Sequence, residues 1–476
     1  MPGLFDTLNL GAHSLQVQQQ AIEVAGHNLA NVNNPAYARQ RLHLATTPPI
    51  PTPVGPMGTG VDAVAIRQLR DALLDGQITR ETSVRGYLDA TQQALQLAQA
   101  ILGEAINRQT DRPEAVAGAE GLGSQFSVAE GLSALFNAFQ SLSTQPSSLS
   151  ERQNVLAAAG NLTGTLRQLD GRLASLRDSL NQSLQADVLK ANQLLAEIAN
   201  YNKQIVAIEA GGRVAANDLR DARQQRIEEL ARILPIQAVA QSNGALDITV
   251  NGVTLVSGVK VEDTLRLYDA GAGQWLVQTT NGGSPLSLTS GSLQGAIAAR
   301  DGPLQALRAD LNALATALIR EVNALHRPGY SLTGSTGADF FTGTNAADIA
   351  VNPALLDQPA LLQAAGAPNA PGDNQVALAL AQLADRTHAD LGHQTFSQFY
   401  AQTVANLGQE LDWTNRALAD QDAVEKMLYR QRDAISGVSV DEEMTDLIKF
   451  QKAFEASAKL IATLDEMLTT VVNMKR

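Results

Sequence analysis

Six histidines, at positions 13, 27, 43, 326, 388 and 393, are the side chains best suited to hold a metal or move a proton near neutral pH. None stands in a His-Glu-x-x-His frame or another metal-ligand pattern. His27 falls at the end of a helical pattern and reads as a local hydrogen-bonding residue. No Gly-x-Ser-x-Gly elbow presents a nucleophile, and no glycine-rich loop ending in Gly-Lys-Ser/Thr cradles a phosphate. Gly118, Gly121 and Gly123 lie in a polar connection that no strand precedes, so they read as chain flexibility. Asp441, Glu442 and Glu443 have the chemistry for paired-carboxylate catalysis, but they open a helical pattern, where acids stabilise the positive helix start. The absence of cysteine removes thiolate ligands, disulfides and thiol nucleophiles. The reading is not an enzyme: candidate catalytic, cofactor-binding and metal-ligating residues are none, and no cofactor is implied.

What the acids open is more informative. From Ser439, at capping-box spacing to Glu442, a helix is predicted to the end of the chain. Val440, Leu447, Phe454, Ile461 and Leu468 recur every seven residues, and Glu443, Phe450, Ser457, Leu464 and Val471 form a second row. Sustained three-four spacing is the seam of a coiled coil. The start of the chain mirrors it. Leu8, Leu15, Ile22 and Leu29 are spaced by seven, beside a weaker row of Leu4, Gly11, Gln18, Ala25 and Val32. Small residues in that row allow a second helix to approach closely.

The first helix stops in Asn28-Leu29-Ala30-Asn31-Val32-Asn33-Asn34-Pro35-Ala36-Tyr37, where Pro35 pushes Asn34 out of the helical region. Tyr37 to Leu44 alternates like a short strand, and 46–60, with five prolines, reads as a semi-rigid linker or excursion. From Val61 to about Arg232 the pattern is helical, Ala63 to Gly103 included, with a polar connection at 104–124. One proline-free stretch runs from Leu149 to Ala210. From Ile236 to Leu288 short alternating runs take over, with Asn251-Gly252 as a hairpin turn between Asp247–Val250 and Val253–Val256. Helix resumes over Leu293–His326, Val376–Asp390 and Phe396–Ile435. The fold class expected is mainly α: a long-helix bundle with coiled-coil-like terminal helices and a small antiparallel β insert.

The 476 residues carry a net charge of −13 without a basic run, which argues against nucleic acid and against an anionic membrane surface as partners. No apolar run reaches membrane-spanning length, and the first fifteen residues lack the basic start and apolar centre of a signal peptide. Taken alone, these features predict a cytoplasmic protein.

The N-terminal break, Ala30-Asn31-Val32-Asn33-Asn34-Pro35-Ala36-Tyr37, resembles the Ala-Asn-x-x-Thr-Pro-Gly-Tyr signature of the bacterial flagellar rod, hook and hook-associated axial proteins. Asn31, Pro35 and Tyr37 match, while Asn34 replaces the threonine and Ala36 the glycine. Ser436 to Glu443, Leu447 to Phe454 and Ala456 to Lys459 resemble the C-terminal helix of the hook-associated members. Internal stretches agree with the same members. They are Asp218-Leu219-Arg220-Asp221-Ala222-Arg223, Gly291-Ser292-Leu293-Gln294-Gly295, the Asn323, His326, Gly329 and Tyr330 pattern, and Asp339-Phe340-Phe341.

The resemblance implies a structural subunit of the hook–filament junction whose terminal helices line a tube. The assembly interface would hold Leu8, Leu15, Ile22, Leu29, Asn31, Pro35, Tyr37, Val440, Leu447, Phe450, Phe454, Ile461, Leu464 and Leu468. Residues 1–45 with 437–476 would form the inner assembly domain, 46–235 with 291–436 the helical body, and 236–290 a β-rich insert. The implied partners are identical subunits, hook protein, hook-associated protein 3 and, before export, a flagellar chaperone on the C-terminal helix. Export through the flagellar type III pathway, without a cleaved signal, would replace the cytoplasmic expectation with an extracellular one. Other readings are another flagellar axial protein (hook-associated protein 3, or a rod or hook component), a cytoplasmic coiled-coil scaffold, and a zinc peptidase carried on a filament subunit.

Overall fold

A computed structural model describes residues 4–52, 55–103, 127–212, 214–271, 273–283 and 285–474. The polar connection expected at 104–124, with Gly118, Gly121 and Gly123, lies outside the described residues. Helix dominates, and the mainly α class with small antiparallel sheets holds. The backbone of the body is α4 (Leu149–Glu209), 61 residues long and about 90 Å end to end. Ser148 caps it by accepting from the Glu151 N–H at 3.3 Å.

Halfway along, α4 changes partners. Its first half, Val155 to Leu180, shares a core with the end of α2 (Ala72–Leu102), α3 (Val128–Thr144), α7 (Gln305–His326), α9 (Gln375–Gln382) and the start of α10 (Phe396–Ser436). Its second half, Leu184 to Ile198, shares another core with α5 (Asn217–Ile233), α6 (Gly291–Ala299) and the β region. Between α7 and α9 in the chain lies the short α8 (Pro353–Asp357), started by the Asn352 cap.

The β region holds the sheet β5-β6-β7-β8 (Ile236–Ala240, Leu246–Val250, Val253–Ser257, Lys260–Val261) and the hairpin β9-β10 (Leu265–Asp269, Trp275–Thr279). Asn251 and Gly252 sit at φ 46° and 84°, the left-handed pair that a two-residue hairpin turn requires. Ile248, Val250, Leu255 and Val256 face α4 and α5, so the insert has no core of its own.

Three stretches depart from the sequence expectation. The described residues of 46–60 form the excursion rather than the linker. They extend a hairpin in which β1 (Gln40–Thr46) pairs antiparallel with β4 (Val61–Gln68), and β2 (Ile50–Thr52) with β3 (Gly55–Met57). Val61 to Gln68 satisfies either period, and the available partner strand decides for β; helix begins only at Ala72, after the Asp71 cap. The boundary expected between 45 and 46 therefore cuts through a ladder. Leu293–His326 is interrupted by one π-turn, Arg300–Leu304, because Pro303 has no N–H to give. Val376–Asp390 ends early, at Gln382, where the backbone tightens into turns and His388 pairs with Gln394.

The chain ends lie together. α1 (Leu4–Ala30) runs antiparallel to α11 (Val440–Asn473), and the β1/β4 ladder packs on α1. No described helix is long and apolar enough to cross a membrane.

Candidate functional site

The α1/α11 seam is read from three contacts in reversed order. The Gly11 position lies against Ile461, where an added Cβ would come within 2.8 Å of Cγ1. Ser14 Oγ meets Ser457 Oγ at 2.9 Å. Asn28 Nδ2 donates to Glu443 Oε2 at 3.0 Å. Glycine at position 11 is what lets the helices close. The seam therefore follows the small row through Gly11 and Ala25, both buried.

The residues expected at the assembly interface sit around this seam rather than at its centre. Leu8, Leu15, Ile22 and Leu29 are half-buried on its flanks. On α11, Leu464 is buried and Leu447, Phe450, Ile461 and Leu468 are half-buried, while Val440 and Phe454 face out at 45% and 36% exposure. A straight helix drifts off a strict seven-residue repeat, so by Phe454 the seam has passed to Ala453 and Ser457.

Where α1 ends, Asn28 acts as a missing strand. Its Nδ2 donates to the Gln40 carbonyl at 2.9 Å and its Oδ1 accepts the Gln40 N–H at 2.9 Å, so one side chain satisfies both backbone groups of the first β1 residue. Oδ1 also accepts from the Tyr37 hydroxyl at 2.7 Å. That hydroxyl has spent its proton, so His27 Nδ1, 2.9 Å away, is the donor of the next bond. Burial, and then Asp218, Asp221 and Glu443, push the Tyr37 phenol up and keep it protonated. Asn31 turns back to the His27 carbonyl at 3.0 Å, and Pro35 is exposed.

The same segment is pinned to the body. Arg39 N–H donates to the Ser436 carbonyl at 2.8 Å, and its buried guanidinium pairs with Glu442 and Glu443. Ser439 caps α11 as expected, but Glu443 is turned inward and belongs to this cluster. The Ala38 N–H donates to Asp221 Oδ2 at 3.0 Å, and Arg70 holds Asp221 Oδ1 at 3.0 Å and Asp75 at 3.0 Å. Gln40 Nε2 donates to Asp218 at 2.8 Å. Arg432 donates to Glu228 at 2.8 Å and to the Pro35 carbonyl at 3.3 Å.

Burial lifts the Asp221 carboxyl to about 6; the Ala38 N–H and Arg70 oppose the rise, and Asp218 and Asp75 add to it. A cleft of about 580 Å³ opens beside this junction, between Asn31–Arg39 and Arg432–Ser439.

Sequence reasoning marked Asn31, Pro35 and Tyr37 but not Asn28, Arg39, Arg70 or Asp221 as the pins. The signal for Asp221 was the Asp218-to-Arg223 pattern, whose role emerges only when α5 meets the N-terminal break. His326 is elsewhere and structural. Its Nδ1 donates to the Ala338 carbonyl at 2.8 Å and its Nε2 accepts the Gln363 N–H at 3.0 Å. Among the described residues, no group of His, Asp and Glu is arranged to hold a metal.

Residues 120–341 match the family model of the flagellar hook-associated protein FlgK helical domain, and residues 431–474 that of the flagellar basal body rod FlgEFG protein C-terminal region. The flagellar hook-associated protein 1 of Bacillus subtilis (strain 168) is 28% identical over 521 residues, covering 99% of both chains. Nearly half of the chain matches the FlgK helical domain, and its whole length is similar to hook-associated protein 1. Hook-associated protein 1 of Salmonella typhimurium is 22% identical over 574 residues, covering 98% of this chain and 99% of its own. In fold, the chain is similar to the flagellar hook junction protein FlgK of Burkholderia pseudomallei. The TM-score is 0.62 at 15% identity, over 76% of this chain and 100% of that one.

Proposed function

We propose that this chain is a structural subunit of the bacterial flagellum at the hook–filament junction, assembling through its joined termini into a tubular layer between hook and filament. The observation that carries this reading is the pinned terminal pair: α1 and α11 close antiparallel at Gly11–Ile461 and are locked to the body through Asn28, Arg39 and Glu443. A unit that holds both chain ends in one rod, attached through charged pins to a separate helical body, suits a subunit whose rods pack side by side. The FlgK family is a structural one.

The division of labour follows. The terminal pair is the inner assembly unit, the two cores along α4 are the body, and the β region forms part of the second core. Neighbours in the assembly are identical copies, hook protein and hook-associated protein 3. Before export a cytoplasmic chaperone covers α11, whose apolar residues Met444, Ile448 and Met467 are exposed. The chain reaches the extracellular structure by the flagellar type III route. The histidines serve packing and hydrogen bonding, not catalysis.

The test is a deletion strain. Loss of the chain should leave hooks intact and shed filament subunits into the medium, and complementation should restore filaments. Normal filaments in the deletion strain would refute the reading.

A further inference from the structure

A second, more open groove of about 740 Å³ runs along α1 on the side away from α11. It is walled by Glu23 from α1, Val64 and Ile66 from β4, Ile208 from α4, Val214, and Asp218 at the start of α5. Val64, Ile208 and Val214 are exposed at 56%, 47% and 62%, so this is apolar surface open to water. Among the described residues no lysine or arginine lines it, and Glu23 and Asp218 make its rim acidic.

α11 carries the complementary feature. Val440, Met444 and Ile448, one helical turn apart, are exposed, and Lys449 and Lys452 follow at the C-terminal end of the stripe. At about 100° per residue, Met444 and Ile448 point away from the seam residues Phe450, Ser457 and Leu464. Glu23 and His27 likewise lie on the side of α1 opposite Gly11 and Ala25. The groove and the stripe thus sit on opposite sides of one terminal pair, and neither can reach the other within a chain.

We infer that the groove beside α1 of one copy receives the Val440–Met444–Ile448 stripe of a second copy. The inference rests on the proposed assembly and names its contact. The lengths agree: the groove spans Gln20 to His27, about 10 Å of helix, and the stripe about 12 Å. Charge sets the register. Lys449 goes to the acidic rim, Lys452 being paired with Glu455 at 2.9 Å, and this keeps Asp441, at the other end of the stripe, away from Glu23 and Asp218. Because two different surfaces of each copy are used, the contact is head-to-tail and propagates into a ring or helical tube rather than closing as a dimer.

The chain has no cysteine, so one pair can be introduced cleanly. Full-length chain carrying Val64→Cys and Ile448→Cys would replace the wild type in cells, and isolated hook–filament material would be oxidised. The double variant should give a ladder of disulfide-linked multimers, and each single variant none. Incorporation without a ladder overturns the inference while leaving the proposed function standing. So does Ile448→Cys trapping only a cytoplasmic protein. Absence of the wild-type chain from the flagellar fraction overturns the function, and the inference with it.

Charge reversal decides the case in which the cysteine variant fails to incorporate. Glu23→Lys and Lys449→Glu should each lower incorporation about fivefold, the range of one exposed ion pair. Together they should restore it. Failure of the pair to rescue each other counts against the contact.

Discussion

At the scale of single residues, the junction depends on a few buried polar groups, each bonded more than once. Asn28 is buried and makes four hydrogen bonds, to both backbone groups of Gln40, to Tyr37 and to Glu443. Asn28→Leu keeps the bulk and strands those partners, at about 1–3 kcal/mol for each buried group left unsatisfied. The expected outcome is faster hydrogen exchange in α1 and β1 with the body unchanged; equal protection in mutant and wild type would contradict it.

Two buried titratable groups respond to pH with opposite signs. Asp221 is raised from 3.8 to about 6 in the fold, so its contribution is fully present below pH 3.8 and is lost as pH rises through 6. Between pH 7 and pH 5, wild type should therefore gain about 1 kcal/mol relative to Asp221→Asn, read as the difference between their melting curves. His326 is lowered from 6.5 to about 4 by burial, so its contribution is present above 6.5 and lost as pH falls through 4. Against His326→Asn, wild type should lose ground over that lower window. The links of Asn28 to Glu443 and of Asp221 to Ala38 were not legible in the sequence, because those partners lie 415 and 183 residues away. Tyr37 was legible as a motif position, not as a hydrogen-bond donor to Asn28.

At the scale of elements, local pattern carried well wherever the chain decides alone. α4 was readable to within a residue because no proline or cap interrupts it, and Asn251-Gly252 announced its hairpin. It failed where a partner decides. Val61–Gln68 became a strand because β1 was there to pair with, and the terminal seam settled on its small residues because close approach at Gly11 outweighs the bulk of Leu8 or Leu15. That seam makes a prediction. α11 buries only Glu443 and Leu464 fully along its length, whereas α4 buries a continuous stripe from Arg152 to Ile205. Hydrogen exchange of the isolated subunit should release α11 first and α4 last. Exchange at equal rates would mean that the seam is worth more than its burial. Gly11→Leu should open the pair further, and Ile461→Ala in the same chain should partly restore protection, since it removes the side chain that position 11 meets.

At the scale of the whole molecule, the terminal pair packs apart from the two large cores. Neither of the two large cores contains a residue of α1 or α11. A charge placed in the seam should therefore cost the assembly and not the fold. Leu447→Asp and Ile461→Asp each set a carboxylate at a half-buried apolar position of the terminal pair, where losing water costs free energy. The expected result is a subunit whose main thermal transition stays within a few degrees of wild type but which no longer enters the hook–filament fraction. The two cores keep their contacts, and the pins at Asp221 and Arg39 keep the body side of the junction. If the main transition instead fell sharply, the terminal rod would be part of the folding unit, and the separation of rod from body would be wrong. If the transition stayed and incorporation also stayed normal, the seam would not be the element that assembly uses, and the work would pass to the outer face of α11.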